Sequence, residues 1–175
     1  MEQQMIQNLK TEVMAKAKEP NGCRCPVCSQ RVKIYQRKLS SIMAKALVVF
    51  YKVDEQDDCS GWLHVHGDKR MFDATAGAGD YGKLRFWAYA EPEYTYKGTN
   101  RAKTGRWRIT EEGKKFVRGL ISAPKYVYVY NNRMVGKSDD ERIRIDQALG
   151  EQFSLSEIMG YVPDKYMQEE IEFKE

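Results

Sequence analysis

Apolar positions recur at helical spacing twice near the start of the chain. Met5, Ile6, Leu9, Val13 and Ala17 lie three or four residues apart, which predicts an amphipathic helix over residues 2–18, ended by Pro20 and Gly22. From Val32 to Val53 the same period returns with Tyr35, Leu39, Ile42, Met43, Ala46, Leu47 and Phe50 on one stripe, and predicts a long core helix. Asp54 to Asp58 reads as a polar loop. Trp62 to Val65 alternates like a short strand, and Gly77 to Gly79 marks another loop.

Beyond Asp80, a good helix cap, Leu84, Trp87 and Ala88 share one side of a short basic helix over Tyr81 to Glu91 that Pro92 stops. Two extended pieces follow, Glu93 to Lys97 and Arg106 to Ile109, joined by a loop from Gly98 to Gly105 that holds Arg101 and Lys103 and no acid. Thr110-Glu-Glu places a cap and two carboxylates at the start of a helix whose Phe116, Val117 and Leu120 point inward. Tyr126 to Tyr130 and Arg133 to Val135 flank Asn131-Asn132, a pair that tolerates positive φ, and predict a second hairpin. Past Asp139 the chain is acidic, with one short helix expected from Ser154 or Ser156 and a tail over Asp164 to Glu175.

Charge sharpens this picture. The formal net charge is only +4, but Tyr81 to Gly119 holds ten Lys or Arg against four Glu, and Asp139 to Glu175 holds four against eleven acids. A basic block of this kind suits phosphate. The longest apolar run, Ala46 to Tyr51, is far below the ~20 residues that span a bilayer, so no membrane partner is expected. The N-terminus lacks an apolar block behind a basic start, which places the expected location in the cytoplasm of the host cell. No P-loop, GxSxG or paired-carboxylate motif appears, and the chain does not read as an enzyme.

The order of a basic helix, a basic hairpin and Trp107-Arg-Ile-Thr110 leading into the next helix resembles the winged-helix regulators of bacteria. A closer similarity, over residues 25 to about 136, is to a set of small phage proteins. It rests on Cys25-Pro-Val-Cys28, Val32-Lys-Ile-Tyr-Gln-Arg-Lys-Leu39, Asp80-Tyr-Gly-Lys-Leu-Arg-Phe-Trp87 and Gly105-Arg-Trp-Arg-Ile-Thr110. The resemblance implies a recognition helix at Tyr81 to Glu91 and a wing at Tyr94 to Arg108, one reading the major groove and the other reaching the minor groove or backbone. Trp87, Trp107, Phe86 and Tyr89 are assigned to the core or its edge, where large aromatics contribute most.

The expected fold is therefore α+β: a winged helix-turn-helix core over 32–136, an N-terminal helix and small cysteine-rich, zinc-binding loop over 1–31, and an acidic C-terminal segment over 137–175. Lys83, Arg85, Lys97, Arg101, Lys103, Arg106 and Arg108 are the candidate contacts to duplex DNA. Cys23, Cys25, Cys28 and Cys59 are the candidate ligands of a structural zinc, with His64 and His66 as further ligand candidates and free thiols as the bland alternative. The function expected is that of a phage-encoded DNA-binding regulator acting as a homodimer. The alternative is an inhibitor of a host enzyme or defence complex, binding that protein partner through its acidic segment.

Overall fold

A computed structural model describes residues 2–56, 61–97, 100–150 and 155–159, the side chains of residues 2, 97, 100, 101, 157 and 158 excepted. The fold is mixed α+β with several small antiparallel sheets. In chain order the elements are α1 (Glu2–Lys16), β1 (Cys23–Arg24), β2 (Arg31–Val32), β3 (Tyr35–Lys38), α2 (Ser41–Glu55), β4 (Leu63–His64) and α3 (Lys69–Thr75). A 3-10 helix (Gly79–Trp87) is followed by β5 (Ala90–Lys97), β6 (Asn100–Ile109), α4 (Glu111–Val117), β7 (Ala123–Pro124) and β8 (Tyr126–Tyr130). The last elements are β9 (Arg133–Lys137), β10 (Arg142–Ile143), α5 (Ile145–Leu149) and α6 (Leu155–Met159). None of the described helices is long and apolar enough to cross a membrane.

These elements form two compact units, residues 1–38 with 126–138 and residues 39–125 with 139–175. In the smaller, β1 and β2 make a two-residue ladder, Cys23 opposite Val32, and β3, β8 and β9 make a three-stranded sheet with β8 in the middle. The hairpin between β8 and β9 turns through Asn131 and Asn132 at φ 44° and 61°, the conformation that the sequence predicts for this dipeptide. Ala17, Val32 and Ile34 form the buried cluster of this unit, with Val13, Met14, Cys23, Cys25, Tyr128 and Tyr130 packed around it.

The helix expected from Val32 begins only at Ser41. Val32 and Ile34 are buried while Lys33 is half-buried and Tyr35 exposed, a period of two that belongs to extended chain, and the Ser40 hydroxyl then caps α2 by accepting from the Met43 N–H at 3.4 Å. Helix α2 is the centre of the larger unit. It buries Met43, Ala44, Ala46, Leu47, Val48, Phe50, Tyr51 and Val53, and α3, the 3-10 helix, β6, α4 and α5 all pack on it.

The expected helix over Tyr81 to Glu91 is shorter and tighter. It is a 3-10 helix that ends at Ala88 in the left-handed conformation, φ 59°, because Ala90 and Glu91 are drawn into the ladder with Ile109 and Arg108. Asp80 does not cap it; its carboxylate takes the Lys83 ammonium at 2.6 Å. Trp87, Tyr89 and Trp107 are buried as expected, with the Trp87 indole donating to the Pro124 carbonyl at 2.7 Å, whereas Leu120 is 47% exposed. Helices α3 and α5 were not anticipated, although Asp68 caps α3 by accepting from Met71 N–H at 3.1 Å, a signal visible in the sequence.

In the sheet β4-β6-β5 the long pair β5/β6 holds its ladder from Ala90 opposite Ile109 to Lys97 opposite Asn100. Strand β6 runs through the expected loop. Its register slips once, between Pro92 and Tyr94, where Thr104, Gly105 and Arg106 bulge, and Gly105 takes φ 84° there. Glu93 clamps the bulge from the opposite strand, accepting from the Thr104 hydroxyl at 2.8 Å and pairing with Arg106 at 3.5 Å.

Thr110 caps α4 as predicted, accepting from Gly113 N–H at 3.1 Å. Glycine inside a helix costs about 1 kcal/mol relative to alanine, so its presence needs a reason. A Cβ on Gly113 would fall on the Tyr89 carbonyl oxygen and crowd Ile109. Gly113→Ala is therefore expected to lower the denaturation midpoint despite its better helix propensity; an unchanged or raised midpoint would show that the backbone yields. Tyr89 stacks on Phe116, ring centroids 4.9 Å apart, and burial pushes its phenol up to about 12. An unfolded tyrosine ionises near 10, so stability is fully present below pH 10 and falls as pH rises toward 12. Tyr89→Phe should flatten that decline relative to the parent in chemical denaturation between about pH 9 and 12.

Candidate nucleic-acid interface

The basic side chains expected to read DNA are spread over the 3-10 helix, β5 and β6. Lys83 pairs with Asp80 at 2.6 Å, Arg106 with Glu93 at 3.5 Å, and Arg108 with Glu91 at 2.6 Å while lying over the Trp62 ring at 4.5 Å. Arg85 lies over Phe86 at 4.9 Å. Lys103 is exposed on β6, while the side chains of Lys97 and Arg101 lie outside the described ones. Further along the same block, Lys114 joins Asp54 at 2.6 Å, a hydrogen bond that raises its pKa, and Lys115 joins Glu112 at 2.7 Å. Much of the basic block is thus neutralised in place, a consequence of cross-strand pairing that puts Glu91 and Glu93 across the ladder from Arg106 and Arg108.

The smaller unit is different. It holds ten Lys or Arg against three Glu, net +7, so the remaining residues are net −3 and all of the chain's excess positive charge is carried by these 51 residues. Among the described residues the only carboxylate that pairs with any of the ten is Glu12, with Lys16 at 2.6 Å. Arg24 and Arg31 donate to the Ser29 and Asn21 carbonyls at 3.1 Å. Arg37, Lys38, Arg133 and Lys137 lie exposed on the edge strands β3 and β9. Tyr35, 48% exposed, has Lys33 Nζ at 5.5 Å and Arg37 at 5.2 Å from its ring, two cations brought to it by their i−2 and i+2 spacing in extended chain. Sequence reading passed over this surface because its charges come from segments far apart in the chain, Lys33 to Lys38 and Arg133 to Lys137, each unremarkable alone.

The cysteines divide. Cys25 and Cys28 lie in the turn from β1 to β2, which is closed by Ser29 N–H donating to the Cys25 carbonyl at 2.9 Å, whereas the Cys23 Sγ lies 3.5 Å from the Val13 carbonyl oxygen. Cys59 lies outside the described residues. No group of three or more Cys, His, Asp or Glu able to hold a metal occurs among the described residues. His64 Nδ1 is 2.9 Å from the His66 carbonyl oxygen. His66 also lines a cavity of about 520 Å³ with Asp68, Asp73, Thr75 and Tyr81. The acids there are engaged, Asp73 with Lys69 at 2.9 Å and Asp68 with Arg70, whose guanidinium holds the Asp68 carboxyl below its ordinary range. Compared with protein-family models, with curated proteins and with solved structures, this chain matches none.

Proposed function

We propose that the protein binds duplex DNA, with the smaller unit supplying the phosphate affinity. The observation that carries the reading is the set of exposed cations on β3 and β9, together with Lys33, that face no carboxylate among the described residues. A cation already paired in the free protein gains little from a phosphate, because the pair must be broken first, whereas an unpaired one releases the counterions of the phosphate it meets. Tyr35 adds an exposed ring flanked by two cations, Lys33 and Arg37.

We further infer a winged-helix core in the larger unit. Its order is α2, β4, α3, 3-10 helix, β5, β6, and the strands lie in the order β4-β6-β5. A first helix, a short strand, two more helical segments and a two-stranded wing are the parts such a domain needs. In this reading the 3-10 helix occupies the recognition position and the β5/β6 hairpin the wing. Paired charges on both leave them suited to shape and register and less to bulk affinity.

The test is fluorescence anisotropy with a random duplex at about 50 and about 200 mM salt. Replacing Lys33, Arg37 and Lys38 with Ala is expected to weaken binding at least tenfold and to flatten the plot of log affinity against log salt by about 2.7, three contacts at ~0.9 each. Replacing Lys103, Arg106 and Arg108 should cost much less. No salt-dependent binding by the parent chain would sink the proposal, and the reverse ranking of the two variants would return the phosphate contact to the hairpin.

A further inference from the structure

The larger unit holds a cavity of about 520 Å³, lined by the segment after β4, by α3 and by the start of the 3-10 helix. That volume falls within the roughly 300–1,000 Å³ of small-molecule sites. Phe72 of α3 lines it and is 63% exposed, and the ring lies over Gly77, where a Cβ would stand 3.1 Å from the Phe72 Cε2. Tyr81 forms a second aromatic wall. Its ring meets those of Phe50 and Trp107 edge to face, with centroids 6.4 and 5.6 Å away, so the core holds it in place. Gly67 and Gly79 also line the cavity, and a Cβ on either would meet no atom within 4 Å.

Most of the polar side chains of the lining are engaged with their neighbours. Asp73 pairs with Lys69 at 2.9 Å, Asp68 pairs with Arg70 at 2.9 Å, and the Thr75 hydroxyl donates to the Met71 carbonyl at 2.8 Å. Each acid is thus compensated, and an ionised ligand would find no unmatched charge to meet. Two polar groups are left over: among the described residues neither the His66 ring nor the Tyr81 hydroxyl has a hydrogen-bond or ion-pair partner. An imidazole presents a donor and an acceptor, and a phenol does either.

An exposed aromatic ring, a fixed aromatic wall and two free groups that donate and accept are complementary to a flat, uncharged ring with a hydrogen-bonding edge. Nucleobases have that chemistry, and proteins that take up an unstacked base read it by stacking and by hydrogen bonds to its edge. We propose that this cavity binds a nucleobase, carried by a free nucleoside or unpaired in a strand, with Phe72 stacking on it and His66 and Tyr81 bonding its edge. The site does not rest on the duplex-binding reading, because it lies in the larger unit and its ligand is titrated without duplex.

The test is an NMR titration of the full, isotope-labelled chain with adenosine, guanosine, cytidine and thymidine in turn. At least one is expected to shift the amide signals of Gly67, Gly77 and Gly79 saturably, in the millimolar range or tighter. Phe72→Ala removes an exposed ring and should weaken that binding about tenfold, in keeping with the loss of one base–aromatic stack. Gly79→Leu adds a side chain where the protein leaves open space and should abolish it. Short single strands of the same base are titrated in parallel. Affinity equal to that of the nucleoside identifies the free nucleoside as ligand, and tighter binding that Phe72→Ala weakens identifies an unpaired base. Because the first readout is on the unmutated chain, a variant that fails to fold leaves it decisive. No saturable shift of the three glycines with any nucleoside or strand would overturn the proposal, as would binding that survives both substitutions.

Discussion

Helix α2 has too few polar positions to lie on a surface. Eight of its fifteen residues are buried, and they are distributed around the axis and not along a single stripe, so the helix is stable only if enclosed. That requirement organises the larger unit. Elements too short to hold themselves together, among them α3, α4, α5 and a nine-residue 3-10 helix, each contribute an apolar side to it, and isolated helices of these lengths are marginal in water. Lys114 ties α4 to the last turn of α2 through Asp54, and Gly113 lets α4 sit against the Tyr89 carbonyl, two contacts that fix where α4 enters the packing.

The distribution of paired and unpaired charge separates the two units more sharply than their net charges do. In the larger, opposite signs are placed across strands and within single helical turns, as in Arg108 with Glu91 and Lys115 with Glu112, which satisfies each group locally and leaves little field beyond the surface. In the smaller, cations gather on a sheet with no acid in its strands. Such an arrangement costs folding free energy through self-repulsion, a cost that exposure of the cations to solvent keeps small.

Much of the fold was legible where one local signal dominated. The α4 cap at Thr110, the Asn131-Asn132 turn and the burial of Trp87, Trp107 and Tyr89 follow from side-chain chemistry confined to a few residues. The misreadings share a cause. Val32 to Lys38 and Ala90 to Glu91 were read as helix because apolar spacing over a short window fits periods of two and of 3.6 alike, and only the pairing of Tyr35 to Lys38 with Tyr126 to Val129, and of Ala90 with Ile109, decides the matter. The pairing of the basic block was hidden for a related reason: a run of Lys and Arg is visible in the sequence, but its cross-strand acids and the gathering of residues 33–38 with 133–137 on one sheet are properties of register.

The bulge at Thr104 to Arg106 has a further consequence. Strand β5 lies at the border of its sheet, eight residues long, and so presents a row of backbone donors and acceptors to the medium. Pro92 removes one of those donors, and the register slip beside it breaks the straight run of the ribbon. A strand from another molecule could not extend this sheet without meeting an interruption midway. The same irregularity that aims Arg106 at Glu93 thus protects the protein from adding to itself strand by strand.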